Sequence, residues 1–371
     1  MRTNNVLGLI YSNAYDSAIP ELTTLRTMGS VPFGGRYRLI DFALSNMVNC
    51  GITKVGVATN HNYRSLMDHL GSGKPWDLSR KHDGMYLLPP FSTKDGGAHT
   101  SRIEALQSCM NFLSKSSEEY VILADCNVVG NIDFGEMVDA HIASGADITV
   151  AYKNGVKPAL TDLMSLQLNA DGRATAITLG APTGSDEHYS LNLFVLRKAL
   201  LERLIQETVG LCLTDFERDL FMRNVDTLNI MGYEVPGFVR TLYSLQSFFD
   251  ANLELLERDN RKQLFNTDRP IYTKVQDSMP TIYGLGSKVS NSLIADGCVI
   301  EGTVENSILF RGVRVGKGAV VRNCVLMQHS MIGDNALVSC AVMDKNGVIK
   351  PGKTICGDVS FPISIGKGII V

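Results

Sequence analysis

Over residues 1–250, short apolar runs rich in β-branched residues recur: VLGLIY at 6–11, KVGVAT at 54–59, YVILAD at 120–125 and DITVAY at 147–152. Each reads as a strand buried on both faces. Between and after them, ALSNMVNCG, YRSLMDHLG, SRIEALQSCMNFLSK and FGEMVDAHIASG carry helical periodicity, and the first, second and fourth stop at Gly. This alternation predicts a mostly parallel sheet covered by helices on both faces. Ligands in such sheets sit at the carboxyl ends of strands, so the loops after Ile10 and Leu123 are where chemistry is expected.

From about Tyr283 the period changes. Aliphatic pairs recur every five to six residues: Val325-Leu326, Met331-Ile332, Leu337-Val338, Val342-Met343, Val348-Ile349 and Thr354-Ile355. Val315, Ile332 and Ile349 stand seventeen positions apart in turn. Three six-residue steps per coil is the signature of a parallel β-helix, with Gly, Asn and Asp at the tight corners. The expected division is an α/β domain over 1–250, a connecting segment over 251–282, and a hexapeptide β-helix over 283–371.

Composition adds mainly exclusions. At 371 residues two domains are the default. The net charge of −3 is dispersed over both signs, so no nucleic-acid or membrane partner is expected. No apolar run approaches the ~18 residues that span a bilayer, and the N-terminus lacks the features of a signal peptide. The eight cysteines are scattered, with no C-x-x-C pair and no zinc spacing. They read as free thiols of a cytoplasmic protein.

One block is specific. FGGRYRLIDF at 33–42, followed by ALSNMVNCGI, an α/β half, YSLQSFFDANLELL and the hexapeptide repeats, resembles the glucose-1-phosphate adenylyltransferase family over nearly the whole chain. The resemblance implies a Rossmann-like (GT-A-like) nucleotidyltransferase domain followed by a left-handed β-helix. It also implies transfer of AMP from ATP to glucose 1-phosphate with Mg²⁺, in a tetramer under allosteric control. Such chemistry needs close backbone approach to phosphates, cationic side chains, and carboxylates for the metal.

Counted back without a gap from Phe33-Gly34-Gly35, those needs are not met. The glycines of the family's phosphate loop fall on Asn13, Ala14 and Asp16, and its arginine on Ala18. The lysine of a following Lys-Pro falls on Met28. An aspartate at the third glycine is expected to set a negative charge where a triphosphate lies. The Glu-Lys pair that grips the sugar phosphate falls on Gly180 and Ala181, and a metal-binding aspartate falls on Thr241. Asp125 is left open as the catalytic aspartate, since the alignment there needs a one-residue slip. A nucleotide-binding Gly-Thr-Ala-Asp segment falls on Thr100, Ser101, Arg102 and Ile103, with Gln107 matching.

Losses of this kind each cost roughly 10²–10³ in rate. The pattern is that of a non-catalytic second subunit, the GlgD type, which partners an active adenylyltransferase in a hetero-tetramer. Its expected work is to modulate ADP-glucose synthesis for glycogen. The catalytic partner would use ATP and Mg²⁺, while this chain itself holds no catalytic residues and no metal. An altered nucleotidyltransferase using Asp125 and an acyltransferase using His329 remain as other readings.

Within FGGRYRLIDF the glycines read as a tight turn, and Asp41 as the cap of a helix starting at Ala43-Leu44. Arg26, Arg36 and Arg38 are the candidate anion or effector residues. GSGKPWD at 71–77 lacks the Ser/Thr of a P-loop and reads as a helix-ending loop. His61, His69, His82, His99 and His141 are expected at the surface or in caps.

Overall fold

The computed structural model describes residues 5–90, 101–160 and 162–371. At its centre the Val6–Tyr11 strand pairs in parallel with Lys54–Ala58 on one side and Tyr120–Asp125 on the other, and Gly84–Leu88 extends the parallel edge. Asp186–Arg197 then runs antiparallel to both Tyr120–Asp125 and Ile148–Val156. Ile230–Glu234 is parallel to Ile148–Val156, and the Ser165–Leu168/Ala174–Thr178 hairpin closes the far side.

The alternation of the strands splits the core in two. Ile10, Val55, Val57, Ile122 and Ala124 belong to one buried cluster, and Leu7, Leu9, Ala58, Val121 and Leu123 to the other. The continuous apolar runs in the sequence reflect this burial on both faces. All four strands and all four helical stretches are present, with SRIEALQSCMNFLSK divided at Cys109 into Arg102–Ser108 and Met110–Ser114.

Pro32–Phe33 and Tyr37–Arg38 form a small hairpin whose turn uses Gly34 at φ 59° and Gly35 at φ 87°. The helix after it starts at Leu39, four residues earlier than expected. Asp41 therefore sits in the first turn and reaches back, its Oδ2 accepting from the Arg38 N–H at 2.9 Å. Two histidines also depart from expectation by being buried. His69 Nε2 lies 2.5 Å from Asp41 Oδ1, and His141 Nδ1 lies 2.8 Å from Thr149 Oγ1. Both are held by a polar partner, which is what lets an imidazole sit in a core. His99 lies outside the described residues.

The carboxyl-terminal part is a parallel β-helix. Val315 pairs with Ile332 and Ile332 with Ile349, while Val320-Val321 pair with Leu337-Val338 and Val325 with Val342. The seventeen-residue spacing is thus one coil stacked on the next. Asn306, Asn323, Asn335 and Asn346 take positive φ at the corners, a conformation asparagine tolerates better than most residues.

The β-helix does not hang free. Ile308, Phe310, Val325, Met327 and Val342 belong to the same buried cluster as Phe33, Phe42, Phe248 and Phe249. Among the described residues, two ion pairs cross the junction: Arg26 to Asp344 at 2.5 Å and Arg36 to Asp296 at 2.6 Å.

Candidate functional site

The loop after Val6–Tyr11 is knitted shut by its own side chains. Asn13 accepts from the Asn60 N–H at 2.7 Å and donates to Asp16 Oδ2 at 2.7 Å and to the His61 carbonyl at 3.1 Å. Asp16 Oδ1 accepts from the Met28 N–H at 2.6 Å, and His61 Nε2 stands 3.5 Å from Oδ2. Three backbone donors of this region are spent within it. The Asp16 N–H goes to the Asn13 carbonyl, that of Ala18 to Tyr15, and that of Gly29 to Ser12. A phosphate-cradling loop needs those donors pointing outward.

This corrects the reading of Asp16. Its carboxylate is turned inward and is not among the groups lining the adjacent cavity. Burial pushes its pKa up to about 7, against the pull of the Met28 N–H and the Asn13 amide. Met28 is fully buried.

The cavity itself, about 320 Å³, opens at the carboxyl ends of the central strands and is lined by Tyr11, Tyr15, Arg102, Asp125, Phe216 and Glu217 among others. Asp162 and Asp215 complete its acidic wall. Tyr15 adopts φ 60°, and its hydroxyl accepts from Asn192 Nδ2 at 2.5 Å. Arg102 is the cation among the described lining residues, and it is already engaged. Its Nη1 donates to Asp125 Oδ2 at 2.9 Å, and its Nη2 lies 2.8 Å from Oδ1. The guanidinium carbon stacks 4.0 Å from the Phe216 ring centroid, and Glu217 Oε1 is 4.0 Å from Nη1.

Electrostatically the cavity suits no polyphosphate. Burial raises Glu217 to about 8 and Asp125 to about 6, and it raises Asp162 as well, despite Arg102 pulling all three down. The one cation among the described lining residues is already paired with Asp125, so an incoming anion meets no free cationic cradle.

The other expected positions are dispersed. Gly180 and Ala181 lie in a turn after Ala174–Thr178, where the Gly180 carbonyl accepts from Lys157 Nζ at 3.0 Å. Thr241 is buried in the Val239–Thr241 strand opposite Val128. Thr100 lies outside the described residues. Among the effector candidates, Arg26 and Arg38 face a common region, whereas Arg36 is drawn off by Asp296, which also holds Arg311 at 2.9 Å. Arg38 Nη1 donates to the Ser65 carbonyl and hydroxyl, at 2.6 and 3.0 Å.

Sequence reasoning missed Tyr15, Glu217, Asp162 and Asp215 as parts of the site. It singled out Arg102 only as a mismatch. The signal available was one of charge pairing: an arginine at the start of a helix and an aspartate at the end of a central strand, both near the expected site.

Known proteins resemble this arrangement throughout its length. Residues 19–161 match the Nucleotidyl transferase family, and residues 282–361 match the GlmU-like, C-terminal hexapeptide family. The glycogen biosynthesis protein GlgD of Bacillus subtilis (strain 168) is 33% identical over 372 aligned residues, covering 100% of this chain and 98% of the relative. The chain belongs to the GlgD family. A GlgD of Geobacillus stearothermophilus is 38% identical over 86% of this chain and 83% of its own length. A glucose-1-phosphate adenylyltransferase of Geobacillus stearothermophilus is 29% identical over 94% of this chain and 92% of its own length. A role in glycogen biosynthesis follows from this membership. No helix among the described residues is long and apolar enough to cross a membrane.

The Mg²⁺ that the adenylyltransferase reaction implies does not fit the residues present. Asp125 faces Arg102 with both oxygens, and Thr241 supplies no charge. Among the described residues no group of three or more His, Cys, Asp or Glu could hold a metal ion together.

Proposed function

We propose that this GlgD-family chain is a non-catalytic, regulatory subunit that assembles with a catalytic glucose-1-phosphate adenylyltransferase. It tunes the synthesis of ADP-glucose from ATP and glucose 1-phosphate in glycogen biosynthesis, and the catalytic subunit supplies the ATP and Mg²⁺ chemistry. The observation that carries this reading is the cavity wall: four carboxyl groups and one guanidinium, already paired, where two phosphorylated substrates would have to meet. A subunit that cannot turn over still shapes its partner if it packs differently against the partner's active and inactive states, by a coupling of about 1–3 kcal/mol. A hetero-tetramer is the assembly this reading takes.

Regulation by a small anion is the second part of the proposal, and Arg26, Arg38 and Lys345 support it. Arg26 is buried, and its Nη1 has no hydrogen-bond partner among the described residues. Burial, together with Arg38 and Arg26, pushes the Lys345 ammonium down to about 7. Asp344 is the carboxylate paired with Arg26 there, so an added phosphate or carboxylate would relieve the excess of positive charge.

The test is pyrophosphate release from ATP and glucose 1-phosphate with Mg²⁺, on this chain alone and mixed with a catalytic relative. No release alone, with a changed rate or substrate affinity in the mixture, is the expected result. Robust release from the chain alone would overturn the reading, and an unchanged mixture would remove the regulatory half of it.

A further inference from the structure

The engagement of Arg102 extends the non-catalytic reading and rests on it. A guanidinium placed end-on against a buried carboxylate, stacked on an aromatic ring and approached by a second carboxyl group, has the surroundings of a bound cation. Asp125 is 1% exposed, and the Arg102 and Glu217 side chains are 10% and 12% exposed. Phe216 closes one side at 4.0 Å, with Tyr11 and Phe194 at 6.0 and 5.8 Å from the guanidinium carbon. Planar, weakly hydrated and permanently charged, an arginine suits such a place better than a lysine.

We propose that Arg102 is the resident cation of this cavity, and that it shuts out a divalent ion by occupying the carboxylate that would hold one. Loss of the phosphate-loop cations alone would leave Asp125 free to bind metal unproductively. With Arg102 in place the carboxylate is neutralised from within. The cavity then stays closed to metal and to metal-bound nucleotide at every stage of assembly with a partner. Arg102 opens the Arg102–Ser108 helix, whose N-cap Ser101 accepts from the Glu104 N–H at 3.2 Å, so its backbone is anchored while the side chain reaches into the cavity.

Removing the guanidinium uncovers Asp125 and Glu217. Once metal binding releases their protons, two such carboxyl groups are enough for an octahedral divalent ion that keeps most of its waters. Manganese(II) is the probe, followed by the loss of its free-ion electron paramagnetic resonance signal. Arg102→Met keeps the side-chain stem against Phe216, and Arg102→Gln is made alongside it in case the first does not fold. Thermal melts establish which variants are native. The wild-type chain is expected to show no saturable manganese binding. A folded Arg102 variant should bind one ion, about tenfold or more tighter than wild type. Adding Asp125→Asn to that variant should abolish the binding. A folded Arg102 variant that gains no manganese, or a wild-type chain that binds manganese in a way Asp125→Asn removes, overturns the proposal. The mixture assay for the regulatory role uses wild-type chain and reads turnover, whereas this one reads binding, so either can fail without the other.

Discussion

Arg26 and Asp344, 318 positions apart in the chain, meet at 2.5 Å with side chains only 3% and 4% exposed. One comes from the loop region before FGGRYRLIDF and the other from the β-helix, so the pair ties the two halves together where both are dry. Buried charges of this kind are costly to separate, because the survivor keeps its desolvation penalty.

Arg26→Ala or Asp344→Ala is therefore expected to destabilise the chain by about 3–5 kcal/mol. An apolar pair such as Arg26→Met with Asp344→Leu should recover most of that loss. Chemical denaturation of the four proteins checks both statements. A double replacement as damaging as the single ones would show that an uncompensated buried charge is not the source of the loss.

The shared core makes a second prediction. Phe310 is fully buried, on the β-helix, within the cluster that also holds Phe33 and Phe248. Phe310→Ala should cost about 3–5 kcal/mol in a single unfolding transition. By the same argument, removal of residues 282–371 would expose this wall and yield an aggregating fragment. Two separate transitions in calorimetry would contradict a common core.

Placing a lysine at position 28, where the family resemblance sets one, should fail in an instructive way. Met28 is fully buried, and its N–H is bonded to Asp16. Met28→Lys is expected to destabilise by about 3 kcal/mol or more, since a lone ammonium is placed in apolar surroundings. It should bring no pyrophosphate release, because Arg102 still holds Asp125. A pyrophosphate assay paired with a melting curve decides this.

The Glu217 carboxyl gives a pH dependence of definite sign. Burial first of all raises it from 4.5 to about 8. The native state thus keeps a proton that the unfolded chain releases above about pH 4.5. The stability linked to this group is complete below that value and is lost as pH rises towards 8. Glu217→Gln should flatten the decline and stabilise the protein at pH 8 by about 1–3 kcal/mol, with little change at pH 4.5. Melting temperatures across that range would show it. A parallel decline in wild type and variant would place the titration elsewhere.

Much of this molecule was legible in one dimension. Apolar runs such as YVILAD predicted strands because burial on both faces leaves no polar position to interrupt them. The recurrence of Val315, Ile332 and Ile349 predicted stacked coils because each coil must bury its aliphatics on the next. That Ala18 and Met28 carry no charge where the family resemblance sets cations was visible residue by residue, since a missing charge needs no geometry to notice. What the sequence could not decide was where the remaining charges go. Asp16 looked like a negative group in a phosphate site, yet it folds inward onto Met28. Arg102 looked like a mismatch, yet it is the counter-ion of Asp125. Arg26 looked available to an anion, yet Asp344 takes part of its charge. The fold follows from periodic burial, a property of neighbours along the chain. Ion pairing acts through space over a few ångströms and depends on which distant residues the fold brings together, so it was settled only by the tertiary structure.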